Sequence, residues 1–165
     1  CAGARVEVRA EGKRSYRVFG LFGNDDKKIQ QLIDAGQFDE LPTEVIDKIA
    51  SDIVLTTESV LSGVDVIERL EIVSAECVFG MNMFRDWFAG IRDIFGGRSS
   101  ASQKVLRDAR RVCLTELRRE ALMVGANAVI AVDLNYNEIS GDGKSMLFLV
   151  ATGTACRIEA VGKAG

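Results

Sequence analysis

Histidine is absent from this chain of 165 residues, and proline occurs once, at Pro42. Without imidazole there can be no Ser-His-Asp triad, no Cys-His dyad and no histidine-ligated metal. Any general acid or base is therefore left to a carboxylate, cysteine, lysine or tyrosine. Long apolar runs are missing as well, none approaching the roughly 18 residues that span a bilayer. The net charge of −3 is too small to point to a polyanionic partner. The basic residues also lack the interleaved aromatics on which single-stranded bases stack, so no nucleic acid is expected.

Cysteine is sparse and scattered: Cys1, Cys77, Cys113 and Cys156. No pair has Cys-x-x-Cys spacing, which removes zinc-ribbon and thioredoxin-like readings. The last three sit in apolar runs, where a free thiol behaves as a small buried hydrophobe, and a reducing, cytoplasmic compartment is the simplest expectation. The alternative is a lipoprotein anchored through Cys1, because Cys1-Ala2-Gly3 would suit an acylated cysteine.

The chain divides into residues 1–52, an N-terminal extension, 53–160, a main domain, and a short tail, 161–165. In the extension, Arg5–Arg9 and Ser15–Phe19 alternate polar and apolar residues around Glu11-Gly12-Lys13, a β-hairpin pattern. Asn24 or Asp25 then offers an N-cap to a helix carrying Ile29, Leu32 and Ile33, stopped by Gly36. Pro42 begins a second short helix with Val45, Ile46 and Ile49. Elements this small bury little surface alone and are expected to pack on the main domain.

The main domain reads as α+β, in the order β-β-α-α-β-β, with a mostly antiparallel sheet packed against two consecutive helices. Ile53–Thr57 and Val66–Val78 are the first strands, with a turn at Ser62-Gly63 between them. Phe84, Phe88, Ile91 and Phe95 recur at helical spacing. A longer helix, from about Ser100 to Val124, is expected to bury Val105, Ala109, Val112, Leu117 and Ala121, with Gly125 as its C-cap. Asn127–Asn137 and Met146–Glu159 form the last hairpin.

The most specific stretch lies between Gly80 and Ser100, where Arg85-Asp86 and Arg92-Asp93 repeat within an aromatic run that ends in Gly96-Gly97-Arg98-Ser99. Residues seven apart on a helix share a face, about 10.5 Å apart along its axis. Arg85 with Arg92, and Asp86 with Asp93, therefore form adjacent stripes. Trp87 and Phe88 suit core and interface packing. Charge is also uneven over longer spans. Between Ile53 and Asn82 one basic residue, Arg69, faces five acidic ones, whereas Arg98–Arg119 carries seven basic residues against Asp108 and Glu116. These segments either meet each other or form solvated faces.

Taken together, Thr56-Thr57-Glu58, Gly63, Glu68, Ile72–Glu76, Gly80–Ser99, Leu106–Arg110, Gly125–Val129, Asp133, Tyr136 and Gly153-Thr154-Ala155 resemble the YbjQ-type family of small bacterial proteins, which carries a provisional heavy-metal-binding label. The resemblance covers about residues 53–160. It implies a dodecin-like subunit fold, assembled as a ring, a pentamer or stacked pentamers, and it implies no established activity. Where the family tends to carry an aromatic-acidic pair after Gly-Gly-Arg-Ser, this chain has Ser102-Gln103, which weakens a metal or ion-pair role there.

These readings converge on a non-enzymatic homo-oligomer of unknown biochemical role. Arg85, Asp86, Trp87, Phe88, Arg92 and Asp93 are the candidate interface. Gly96, Gly97, Arg98 and Ser99 form a candidate anion or ligand loop, whose plainer reading is an interhelix turn with a serine N-cap. The alternative is a ring that binds a small ligand or heavy metal at subunit junctions. Among Glu68, Glu76, Asp86, Asp93 and Cys77, the candidate metal ligands, no spacing is diagnostic, and Glu68 and Glu76 are retained. No cofactor is identified beyond such an ion.

Overall fold

The computed structural model describes residues 5–8, 14–17, 25–79, 100–141 and 144–159. Strands β1 (Arg5–Val8) and β2 (Arg14–Arg17) pair antiparallel, with Val6 opposite Tyr16. Helix α1 (Asp26–Ala35) follows Asp25, which holds the N-cap position without a side-chain capping bond. It ends at Gly36, whose φ of 73° admits two reversed hydrogen bonds: Gly36 N–H to Ile33 O at 3.1 Å and Gln37 N–H to Leu32 O at 2.9 Å. Helix α2 (Thr43–Ala50) starts one residue after Pro42 rather than on it. The proline is extended, and its carbonyl accepts the Val45 and Ile46 N–H groups at 2.9 and 3.1 Å.

The main sheet has the order β3-β5-β6-β4. Its members are β3 (Val54–Leu55), β4 (Val66–Phe79), β5 (Ala128–Gly141) and β6 (Lys144–Ile158). β4 and β5 both run antiparallel to the central β6, while β3 lies parallel to β5. The sheet is thus mixed and mostly antiparallel. Helix α3 (Ser100–Met123) is the second of the two helices expected from the sequence. The first, over 84–95, lies outside the described residues.

Along α3 the buried stripe is Ala109, Cys113, Leu117 and Ala121, each four residues from the last. The expectation that Val112 belongs to it is corrected: Val112 is 47% exposed, and Cys113, one position on, faces the sheet. The side chains opposite are small, Ala75, Ala151 and Ala155, so the helix packs close to the strands. Leu117, Leu122 and Leu149 fill what remains, each contributing about 1.5–3 kcal/mol by leaving water.

The first helices join the same core. Ile29, Ile33, Leu41, Val45 and Ile49 form one continuous cluster with the α3 stripe and the inner sheet face. Polar contacts reinforce the seam. Arg119 binds Asp47 on α2 at 2.5 Å and Glu116 at 2.7 Å, and Arg118 donates to Ile53 O at 3.2 Å. Among the described residues, ion pairs join α3 to α2, Arg119 to Glu116 within α3, and β6 to β4. Arg119, of the basic segment, therefore finds its acidic partners outside the 53–82 stretch.

Candidate functional site

The family-like motifs within the described residues build the fold around its helix and bulge. Gly125 closes α3 with φ 75°, its N–H on Leu122 O and that of Ala126 on Ala121 O, both at 2.9 Å. Asn127 follows, buried, and acts as a side-chain rung of the sheet. Its Nδ2 donates to Ile158 O and its Oδ1 accepts Ile158 N–H, each at 2.8 Å. Thr56 and Glu58 add backbone bonds past β3: Thr56 N–H bonds Val129 O, Val132 N–H bonds Thr56 O, and Ala131 N–H bonds Glu58 O. Those bonds hold an irregularity in β5 between Ile130 and Asp133, where Ala131 takes φ 52°. Gly153 lies against it, and a Cβ there would stand 2.5 Å from Val129 Cγ1.

Of the residues singled out from the sequence, Arg85, Asp86, Trp87, Phe88, Arg92, Asp93, Gly96, Gly97, Arg98 and Ser99 all lie outside the described residues. Glu68 and Glu76 are described, and they do different work. Glu68 binds Arg157 at 2.6 Å, and Arg157 also donates to Gly125 O at 3.1 Å, so this carboxylate ties β4 to the end of α3. Glu76 accepts from Ser74 Oγ at 3.0 Å on the opposite face of the sheet. Eight residues of strand separate the two, about 26 Å, so they cannot share an ion within one subunit.

Among the described residues, the face of the sheet away from α3 is covered at one end. There Ala128, Ile130, Cys156 and Ile158 pack under Val54, Leu61, Val64 and Val66. Beyond them the register aligns three cross-strand rows: Asp133, Thr152 and Ser74; Asn135, Val150 and Glu76; Asn137, Phe148 and Val78. Ile72, opposite Thr154, is 78% exposed, and Val78 is 51% exposed. Asn135 Nδ2 donates to Asp133. This face mixes exposed β-branched side chains with hydrogen-bonding ones. Sequence reading missed it, although Ile72-Val73 and Val78-Phe79 place apolar residues on both faces of β4, a signal that neither face is wholly solvated.

On the inner face, Cys113 Sγ stands 3.3 Å from Ala75 O and 3.6 Å from Leu149 O. Leu149 is the cross-strand partner of Cys77, which shares the inner face of β4 with Ala75. Burial raises the Cys113 thiol to about 11; the neighbouring Cys77 adds to the rise, and the backbone at Ala151 acts the other way. Burial likewise raises the Cys156 thiol, with Arg69 opposing. Among the described residues no three cysteine or carboxylate side chains gather in a cluster that could hold a metal ion, and no helix is long and apolar enough to cross a membrane.

Similarity to other proteins follows the same boundaries. The UPF0145 protein of Pasteurella multocida (strain Pm70) is 48% identical over 101 residues, which are 61% of this chain and 94% of that one. A crystal structure from Pediococcus pentosaceus, a protein of unknown function in the DUF74 family, aligns with a TM-score of 0.45 at 14% identity. It covers 65% of this chain and 98% of its own. The YbjQ family model, described as "Putative heavy-metal-binding", matches residues 53–159, and the chain belongs to that family.

Proposed function

We propose that this protein works through assembly rather than catalysis, as a homo-oligomeric ring. The carrying observation is the pair of exposed apolar side chains, Ile72 and Val78, on the sheet face away from α3. An antiparallel sheet that faces water on one side normally turns polar residues outward, yet Ile72 and Val78 stand exposed on this one. Burying an isoleucine or valine contributes about 1.5–3 kcal/mol, so covering both, with the half-buried Phe148 and Val150 beside them, is worth several kcal/mol per contact. Ser74, Thr152 and Asn135 around them can exchange hydrogen bonds with a neighbour. A rotationally closed ring needs two different, complementary patches on each subunit. The sheet face is one, and the Arg85-Asp86 and Arg92-Asp93 repeat is the sequence-based candidate for the other. Five subunits is the number that the family resemblance implies.

Light scattering and native mass spectrometry of the full chain test this directly. A closed oligomer of about five copies is expected, and Ile72→Asp, which places a charge within the proposed contact, is expected to reduce it to smaller species. Arg92→Glu should do the same through the second patch. A monomeric wild-type chain would refute the proposal, and an unchanged mass for Ile72→Asp would remove the sheet face from it.

A further inference from the structure

The sheet order ends at β4, so among the described residues this strand is paired on one side only, by β6. Its other edge presents a row of backbone N–H and C=O groups. The two halves of that edge differ. From Val66 to Glu71 the register against β6 shifts twice, between Val66 and Glu68 and between Arg69 and Glu71, and Glu68, Arg69 and Glu71 are charged. Bulges and charges of this kind keep an edge from pairing with another chain. From Ile72 to Phe79 both devices are missing. These residues pair with Thr154 to Leu147 without a shift, and Glu76 is the one charge among them.

We propose that this second half of the edge pairs antiparallel with the same segment of a second copy, about a two-fold axis at Ala75. The strand itself selects the register. Residues directly opposite in an antiparallel pair lie on the same side of the sheet. Val73, Ala75 and Cys77 are buried on the α3 side, and Ile72, Ser74, Glu76 and Val78 alternate with them. The axis must therefore pass through a residue, and the central choices are Ser74, Ala75 and Glu76. At Glu76 it would set two carboxylates opposite each other, and at Ser74 it would set Ile72 opposite Glu76. At Ala75 it sets Ile72 opposite Val78 of the second copy, and Ser74 opposite Glu76. The two exposed apolar side chains of the segment then cover one another, and its one charge meets a hydroxyl that donates to carboxylates. Helix α3 lies over β4 and β6, inboard of the edge: Cys113 Sγ is 3.3 Å from Ala75 O and 3.6 Å from Leu149 O.

A two-fold contact uses the same patch on both copies and is complete with two. It is separate from the head-to-tail contact of the ring, and it joins two rings, or two single chains, in the same way.

The test uses the full chain with Cys1→Ser, Ile72→Cys and Val78→Cys, mildly oxidised and run on a non-reducing gel. Opposite Cβ atoms lie about 4.5–5.5 Å apart, at the edge of disulfide reach. Within one strand the two positions are about 20 Å apart, so an internal bond cannot form. A covalent dimer is expected from this chain, and from a mixture of the two single variants, but from neither single variant alone. In light scattering, Ser74→Glu sets carboxylates opposite Glu76 and should halve the mass reached at high concentration, and adding Glu76→Lys should restore it. A plain dimer split by Ser74→Glu would support the pairing and remove the ring. A ring of five that never doubles on concentration, with no cross-link, would overturn the pairing and leave the ring. Equal cross-linking by Ile72→Cys alone would overturn the register. If the cysteine chain does not fold, the mass of Ser74→Glu against wild type decides.

Discussion

Replacing Asn127 by alanine removes two hydrogen bonds at once. Its side chain bonds both the N–H and the carbonyl of Ile158, a residue that is 2% exposed, so neither group can turn to water instead. A buried donor or acceptor left without a partner costs about 1–3 kcal/mol, and two such groups on one residue place the loss near 3 kcal/mol. Backbone pairing is untouched, because Asn127 N–H still reaches Cys156 O and Val54 N–H still reaches Asn127 O. The effect thus isolates the side chain. Urea unfolding followed by circular dichroism, at one fixed protein concentration, should show a lower midpoint with an unchanged slope. Asn127→Asp sharpens the reasoning: an ionised carboxylate can accept from Ile158 N–H but faces Ile158 O with no donor. That variant should be at least as unstable as alanine near neutral pH and should recover as acid protonates it and restores the donor. A loss below about 0.5 kcal/mol for Asn127→Ala would refute the rung assignment, since it would mean that Ile158 finds other partners without difficulty.

Gly153→Ala should destabilise the fold by about 1–3 kcal/mol in the same assay, because the added methyl would lie 2.5 Å from Val129 Cγ1 and 3.2 Å from Ile130 O, and backbone cannot give way cheaply. The control Gly63→Ala, at a glycine with open space but φ 74°, should cost only the backbone strain. Alkali should weaken the protein through Cys113. Its pKa rises from 9.0 to about 11 on folding, so its stabilising contribution is complete below pH 9 and is lost as the pH climbs through 11. That contribution is on the order of 2–3 kcal/mol, and the stability difference between wild type and Cys113→Ala should shrink by that amount between pH 9 and 11; a constant difference would contradict it.

The parts of this structure legible in the sequence are those governed by neighbours along the chain. Gly36 and Gly125 stop helices because only a left-handed residue lets the last turn close on itself, and both do so. The hairpin of β5 and β6 and the span of α3 follow from alternation and helical spacing. What escaped is governed by partners distant in sequence. Two residues, Val54 and Leu55, are too few to declare a parallel partner, and their strand is defined by Ala128 and Val129. Asn127 looks like an ordinary loop residue until Ile158 lies beside it. The choice of Val112 over Cys113 failed because a stripe on a long helix is ambiguous by one position, and the small residues of the sheet settle it in favour of the thiol.

The same distinction governs how α3 meets the sheet. Ala109 on α3 and Ala75, Ala151 and Ala155 on the strands permit a close approach, which brings Cys113 Sγ to 3.3 Å from Ala75 O. Larger side chains at Ala75 or Ala109 would hold the helix away. Val45 and Ile49 of α2 join the same cluster, and Arg119 holds the two helices together through Asp47. The helix side of the sheet is thus packed within the chain, and Ile72 and Val78 stand exposed on its other face, the surface on which the proposed assembly rests.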